Sequence, residues 1–143
     1  MKNESSTERM NEKKVQLIKA QQGELDAVIL YRRLAEVVKN TKDKELFLRI
    51  AADEGKHASI LKKYTGETLK ASNFKALVVI TLYKVLGLKF ILKLLEKGEL
   101  KATEGYSLLV EEFPTIKEII RDEALHATLI SKILNNPPPT PKG

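Results

Sequence analysis

The chain has no cysteine. Disulfides, thiolate zinc sites, iron–sulfur clusters and cysteine nucleophiles are therefore excluded, and any chemistry must rest on oxygen and nitrogen donors. Residues 1–11 lack the apolar core of a secretory signal, so the expected compartment is the cytoplasm. Glycine and proline are scarce, at seven and five in 143 residues, and all the prolines but Pro114 lie beyond Asn136. Little interrupts a helical pattern. A long charge-free apolar run is also missing: the most hydrophobic stretch, residues 76–95, is broken by Lys84, Lys89 and Lys93 and holds Gly87. It reads as a buried or interfacial helix, since a membrane span needs about 20 apolar residues with few charges. The formal net charge is +6, but the lysines are spread along the chain rather than clustered with aromatics, and no nucleic-acid partner is expected.

Histidine is scarce too. The only two lie in matching stretches, Asp53-Glu54-Gly55-Lys56-His57-Ala58 and Asp122-Glu123-Ala124-Leu125-His126-Ala127. A Glu and a His three positions apart share one helix face and can ligate one metal centre. A second repeat accompanies the first: Gly23-Glu24-Leu25-Asp26-Ala27 with Tyr31 returns as Gly98-Glu99-Leu100-Lys101-Ala102 with Tyr106. The chain thus reads as two related copies of one helical hairpin.

Apolar spacing of three, four and seven predicts helices over about 11–38, from the Asn40–Asp43 turn to about Tyr64, over 74–86, over 88–112, and from Pro114 to about Leu134. The first places Leu17, Glu24, Val28, Tyr31, Ala35 and Val38 on one face. Residues 1–10 read as a mobile polar lead-in, 11–134 as one all-α domain, and 135–143 as a proline-rich tail. The first hairpin is longer than the second by nearly one helical turn per arm, which keeps Glu24, Glu54, Glu99 and Glu123 at one level of a four-helix bundle. Burying one unpaired carboxylate costs several kcal/mol, and four at one level would consume the roughly 5–15 kcal/mol stability of a domain. No Lys or Arg falls on these inner faces at that level. Two divalent ions would balance four carboxylates, and a set of carboxylates with two imidazoles suits iron or manganese. A metal-free polar network of the same residues is the plainer alternative.

With these residues in place, residues 11–134 resemble the ferritin-like superfamily, its rubrerythrin-like branch, and most closely the ferritin-like domain fused to membrane domains of the vacuolar iron transporter type. The resemblance rests on Glu24 with Tyr31, on Glu99 with Tyr106, and on the two Asp-Glu-x-x-His stretches. It implies a ferritin-like bundle with an extra helix in the crossover, two iron ions per chain (manganese or a mixed pair as variants), Glu24 and Glu99 as terminal ligands, Glu54 and Glu123 as bridging ligands, and His57 and His126 as imidazole ligands. Glu96 matches the extra carboxylate of rubrerythrin-like centres, against a reading as a solvated helix-edge charge. Tyr31 and Tyr106 read equally as core aromatics or as hydrogen-bond donors near the metals. The implied function is a di-iron oxidoreductase acting on O2 or hydrogen peroxide, as ferroxidase or peroxide scavenger. The alternative is a non-enzymatic iron-binding or iron-sensing domain passing iron to a partner such as a membrane transporter. With no cysteine-rich module, turnover needs an external electron donor. The helix over 74–86 and the start of the next one carry more Val, Ile, Leu and Phe than one bundle face can bury, which predicts a homodimer, and for the lysine-decorated stretch 74–95 membrane-surface contact is the alternative.

Overall fold

The computed structural model describes residues 2–136. Within them lie α1 (Lys2–Val37), α2 (Thr41–Thr65), α3 (Phe74–Leu86), α4 (Leu88–Ser107) and α5 (Ile116–Asn135), with no strand. Four of them form a bundle: α1 packs on α2, α4 on α5, and α2 on α5, while α3 crosses over and rests on α1 and α4.

The turns have local causes. Asn40 caps α2, its side-chain oxygen accepting from the Lys42 and Asp43 amides, which satisfies donors that a helix start leaves free. Gly66 ends α2 at φ 68°, a left-handed conformation that glycine adopts without a Cβ penalty. Residues 66–73 then run back along α1. Gln21 and Gln22 donate to the carbonyls of Glu67 and Lys70, and Asp26 accepts from the Ser72 amide at 2.7 Å.

The core has two apolar layers. One gathers Leu30, Leu34, Phe47, Ile50, Ile91 and Ile130, the other Leu17, Leu61, Tyr106, Ile116 and Ile119. Between them, on all four bundle helices, lies a level of buried Glu and His.

Three bounds differ from the periodicity. The first helix starts at Lys2, so the polar lead-in expected over 1–10 is helical from there; Arg9 donates to the Ser5 carbonyl at 3.2 Å, and no Gly or Pro interrupts these turns. Helix α4 stops at Ser107 rather than near Glu112. The Leu109 amide bonds Tyr106 and the Ile116 amide bonds Phe113, so tight turns replace the helix up to Pro114, which leads into α5 instead of forming its first turn. On α1 and just after it Leu17, Glu24, Tyr31, Ala35 and Val38 are buried as the predicted face requires, Gln21, Ala27, Leu30 and Leu34 join them, and Val28 alone of that face is only half-buried. Most of the proline-rich tail expected over 135–143, residues 137–143, lies outside the described residues.

Candidate metal centre

Each bundle helix brings one buried glutamate to the level between the apolar layers: Glu24, Glu54, Glu99 and Glu123 are all at most 4% exposed. His57 and His126 are fully buried beside them. From the ring nitrogen Nδ1 of His57, carboxylate oxygens of Glu123, Glu24 and Glu54 lie at 3.0, 3.5 and 3.7 Å. From Nδ1 of His126, those of Glu54, Glu99 and Glu123 lie at 3.3, 3.6 and 3.7 Å. Two four-residue groups result, one of Glu24, Glu54, His57 and Glu123, the other of Glu54, Glu99, Glu123 and His126, with ligand atoms within 4.8 Å of one another in each. Glu54 and Glu123 belong to both. Glu96 belongs to neither: it lies with Leu100, Thr103 and Ala124 in a groove between α4 and α5.

The remaining atoms of these side chains are held across the hairpins. Tyr31 donates to Glu99 Oε1 and Tyr106 to Glu24 Oε1, both at 2.6 Å. Leu17 shares one apolar layer with Tyr106 and Leu109, and Leu30 and Leu34 share the other with Leu92 and Leu95, so α1 and α4 run antiparallel. The other two helices repeat the crossed pairing, with His57 Nε2 2.8 Å from Asp122 and His126 Nε2 2.8 Å from Asp53. An aspartate on Nε2 fixes the imidazole with its proton there, leaving Nδ1 as the free donor facing the centre. The two aspartates escaped the reading of the sequence. Their signal was present, because each stands immediately before the glutamate in both copies of the motif.

Charge is strained at this level. Burial, with Glu24 and Glu123 nearby, pushes the Glu54 carboxyl well above its ordinary range. Burial pushes Glu123 up to about 8, with the Glu99 and Glu24 carboxylates adding to it against the opposing hydrogen bond of His57. Burial disfavours a charged His57, but the attraction of the Glu123 and Glu24 carboxylates beside it, with Asp122 on its far nitrogen, outweighs that and raises the ring to about 10. Burial alone would raise Glu24 and Glu99, yet their neighbours outweigh it and both fall below their ordinary value: Glu54, His57 and Tyr106 act on Glu24, and His126, Glu123 and Tyr31 on Glu99. Lysine ion pairs among the described residues go to Glu112 and Glu67 instead. One atom of each residue, namely Glu24 Oε2, Glu54 Oε1, His57 Nδ1, Glu99 Oε2, Glu123 Oε1 and His126 Nδ1, is buried without a hydrogen-bond partner. Buried polar atoms are seldom left so; among the described residues only Asp43 Oδ2 and Glu96 Oε2, outside the two groups, share that condition. Six of them aimed at two shared points fit a pair of cations.

A family model, rubrerythrin, matches residues 16–134. The chain belongs to the rubrerythrin family. Its bundle is accordingly the ferritin-like one, with α3 as the extra helix of the crossover. No curated protein and no solved structure matches the chain. A cavity of about 830 Å³ opens between α1 and α4 and reaches the centre, with Glu24, Glu54, Glu99 and Glu123 at its floor. Ala27, Gly98, Ala102 and Gly105 are among its walls and leave room for a small molecule to approach. No helix among the described residues is long and apolar enough to cross a membrane.

Proposed function

We propose that this rubrerythrin-family chain is a di-iron oxidoreductase that reacts Fe(II) with O2 or hydrogen peroxide. The observation that carries the reading is the convergence of six partnerless donor atoms into two groups sharing Glu54 and Glu123. Glu24, Glu54 and His57 would hold one ion, Glu99, Glu54 and His126 the other, with Glu123 serving both. Two Fe(II) ions so held would supply two electrons, the number that takes one peroxide and two protons to two waters.

The chain's own residues do the rest. Tyr31 and Tyr106 each occupy one oxygen of Glu99 and Glu24, so a single oxygen of each carboxylate faces the centre. Asp53 and Asp122 keep both imidazoles in one tautomer. The two apolar layers exclude water above and below, leaving the groove between α1 and α4 as the approach for a small oxidant. Return to Fe(II) needs an electron donor outside these 143 residues, which carry no cysteine for a cluster of their own.

That same lack favours a second reading, a domain that binds or senses iron without turnover and passes it to a partner, such as the membrane transporter type whose ferritin-like domain it resembles. Anaerobic loading with Fe(II) followed by rapid mixing with O2 and with peroxide separates the two. Oxidation of two irons per chain, faster than for free Fe(II), supports the oxidoreductase. Stoichiometric binding with oxidation no faster than in buffer supports the carrier.

A further inference from the structure

Helix α3 is apolar on two opposite faces. Its inner face buries Ala76 and Val79 against the core. On its outer face Phe74, Leu77, Val78 and Val85 are 72, 53, 43 and 74% exposed. At 100° per residue these four, with the exposed Thr81, fall within an arc of about 100°. Lys84 and Lys75, both exposed, flank that arc, about 20° beyond one edge and about 60° beyond the other. Around it the charge has one sign: from Thr68 to Leu95 the chain carries Lys70, Lys75, Lys84, Lys89 and Lys93 and no Asp or Glu.

We propose that this outer face of α3 docks on an anionic phospholipid bilayer. The helix lies in the interfacial plane with Phe74, Leu77, Val78 and Val85 among the acyl chains and its flanking lysines at the headgroups. An apolar stripe edged by lysines is the composition of an in-plane helix. At 13 residues α3 is about 20 Å long, too short to cross a hydrocarbon core of about 30 Å. A second copy of the chain is a poorer occupant, because a two-fold contact sets the surface against itself and this one offers lysine to lysine with no carboxylate in the segment. A bilayer rich in phosphate supplies the missing sign. The inference does not depend on the metal chemistry, and the docked face is separate from the six metal-directed side chains.

The chain has no tryptophan, so Phe74→Trp places a single reporter in the stripe. The full chain is mixed with vesicles of phosphatidylglycerol and phosphatidylcholine, or of phosphatidylcholine alone, and followed by flotation and by tryptophan emission. The expected result is flotation with the anionic vesicles only, a blue shift of the reporter, and release as salt is raised. Phe74→Glu with Val85→Glu should abolish flotation. Lys75→Gln with Lys84→Gln should weaken it by roughly fivefold per lysine neutralised. Leu48→Glu, at an exposed site on α2, should float like wild type. Because all these side chains are exposed, the variants should keep wild-type helical circular dichroism. Failure of the wild type to float with anionic vesicles overturns the proposal, as does flotation that the Phe74/Val85 variant retains. A dimer in light scattering that this variant splits, with wild type indifferent to vesicles, would overturn it in favour of self-pairing.

Discussion

At the scale of single residues, the centre separates side chains that would meet a metal from those that orient them. Asp53 touches His126 only through Nε2 and lies on the opposite hairpin. We expect Asp53→Ala to leave the fold intact and to lower metal affinity by 10–100-fold, the usual effect of losing a partner of a ligating imidazole. Titration with Mn(II) followed by calorimetry would read it, and an unchanged affinity would show that the aspartate is a bystander. On α4, Glu99 is buried in one ligand group while Glu104 is exposed. Glu99→Gln should therefore lower metal occupancy and remove oxidation by O2 or peroxide, whereas Glu104→Gln changes neither. Metal analysis of the two purified variants decides it. That six side chains meet was legible because Glu-x-x-His has a fixed meaning on a helix and occurs twice. The crossed contacts of Asp53, Asp122, Tyr31 and Tyr106 were not, since they join residues 65 to 82 positions apart and only the packing of one hairpin on the other defines them.

Elements were legible where an apolar stripe or a glycine marks them. The α3 limits at Phe74 and Leu86 and the stop at Gly66 belong to that class. The early start of α1 did not, because its first turns are polar all round and periodicity has nothing to count. Nor did the end of α4 at Ser107: the residues after it keep their apolar content, and the break comes from tight turns ahead of Pro114. Two glycines give opposite expectations at this scale. Gly66 sits at φ 68°, so Gly66→Ala should destabilise by about 1 kcal/mol although no atom lies within 4 Å of the added carbon. Gly23 lies inside α1 with the same open space, so Gly23→Ala should stabilise by up to about 1 kcal/mol through helix propensity. Urea denaturation of both variants tests the pair, and equal signs would mean that the local conformation has been misjudged.

For the whole molecule, the level of buried charge couples stability to both pH and metal. Without metal, folded Glu123 keeps its proton up to about 8 against an ordinary 4.5, and folded His57 keeps its own up to about 10 against 6.5. Glu54 and His126 are raised in the same direction. Between the ordinary and the raised values the folded chain binds more protons than the unfolded one, so stability must fall as pH rises through that window. Glu24 and Glu99 are lowered, and their contribution is instead lost in acid, below their ordinary 4.5. The metal-free chain should thus be most stable near pH 4.5, where the carboxylate window opens, and lose stability steadily from there towards 10, with the histidines joining above about 6.5. Metal reverses the slope, because cations at the two groups replace the shared protons and bind more tightly as protons become scarce. Added binding energy appears directly as folding energy. Thermal unfolding at pH 6, 7, 8 and 9, with chelator and with Mn(II), should show two diverging curves. A chelated protein whose Tm holds or rises across that range would mean that the buried carboxylates are neutralised by something other than protons, and the metal reading of the centre would fail with it.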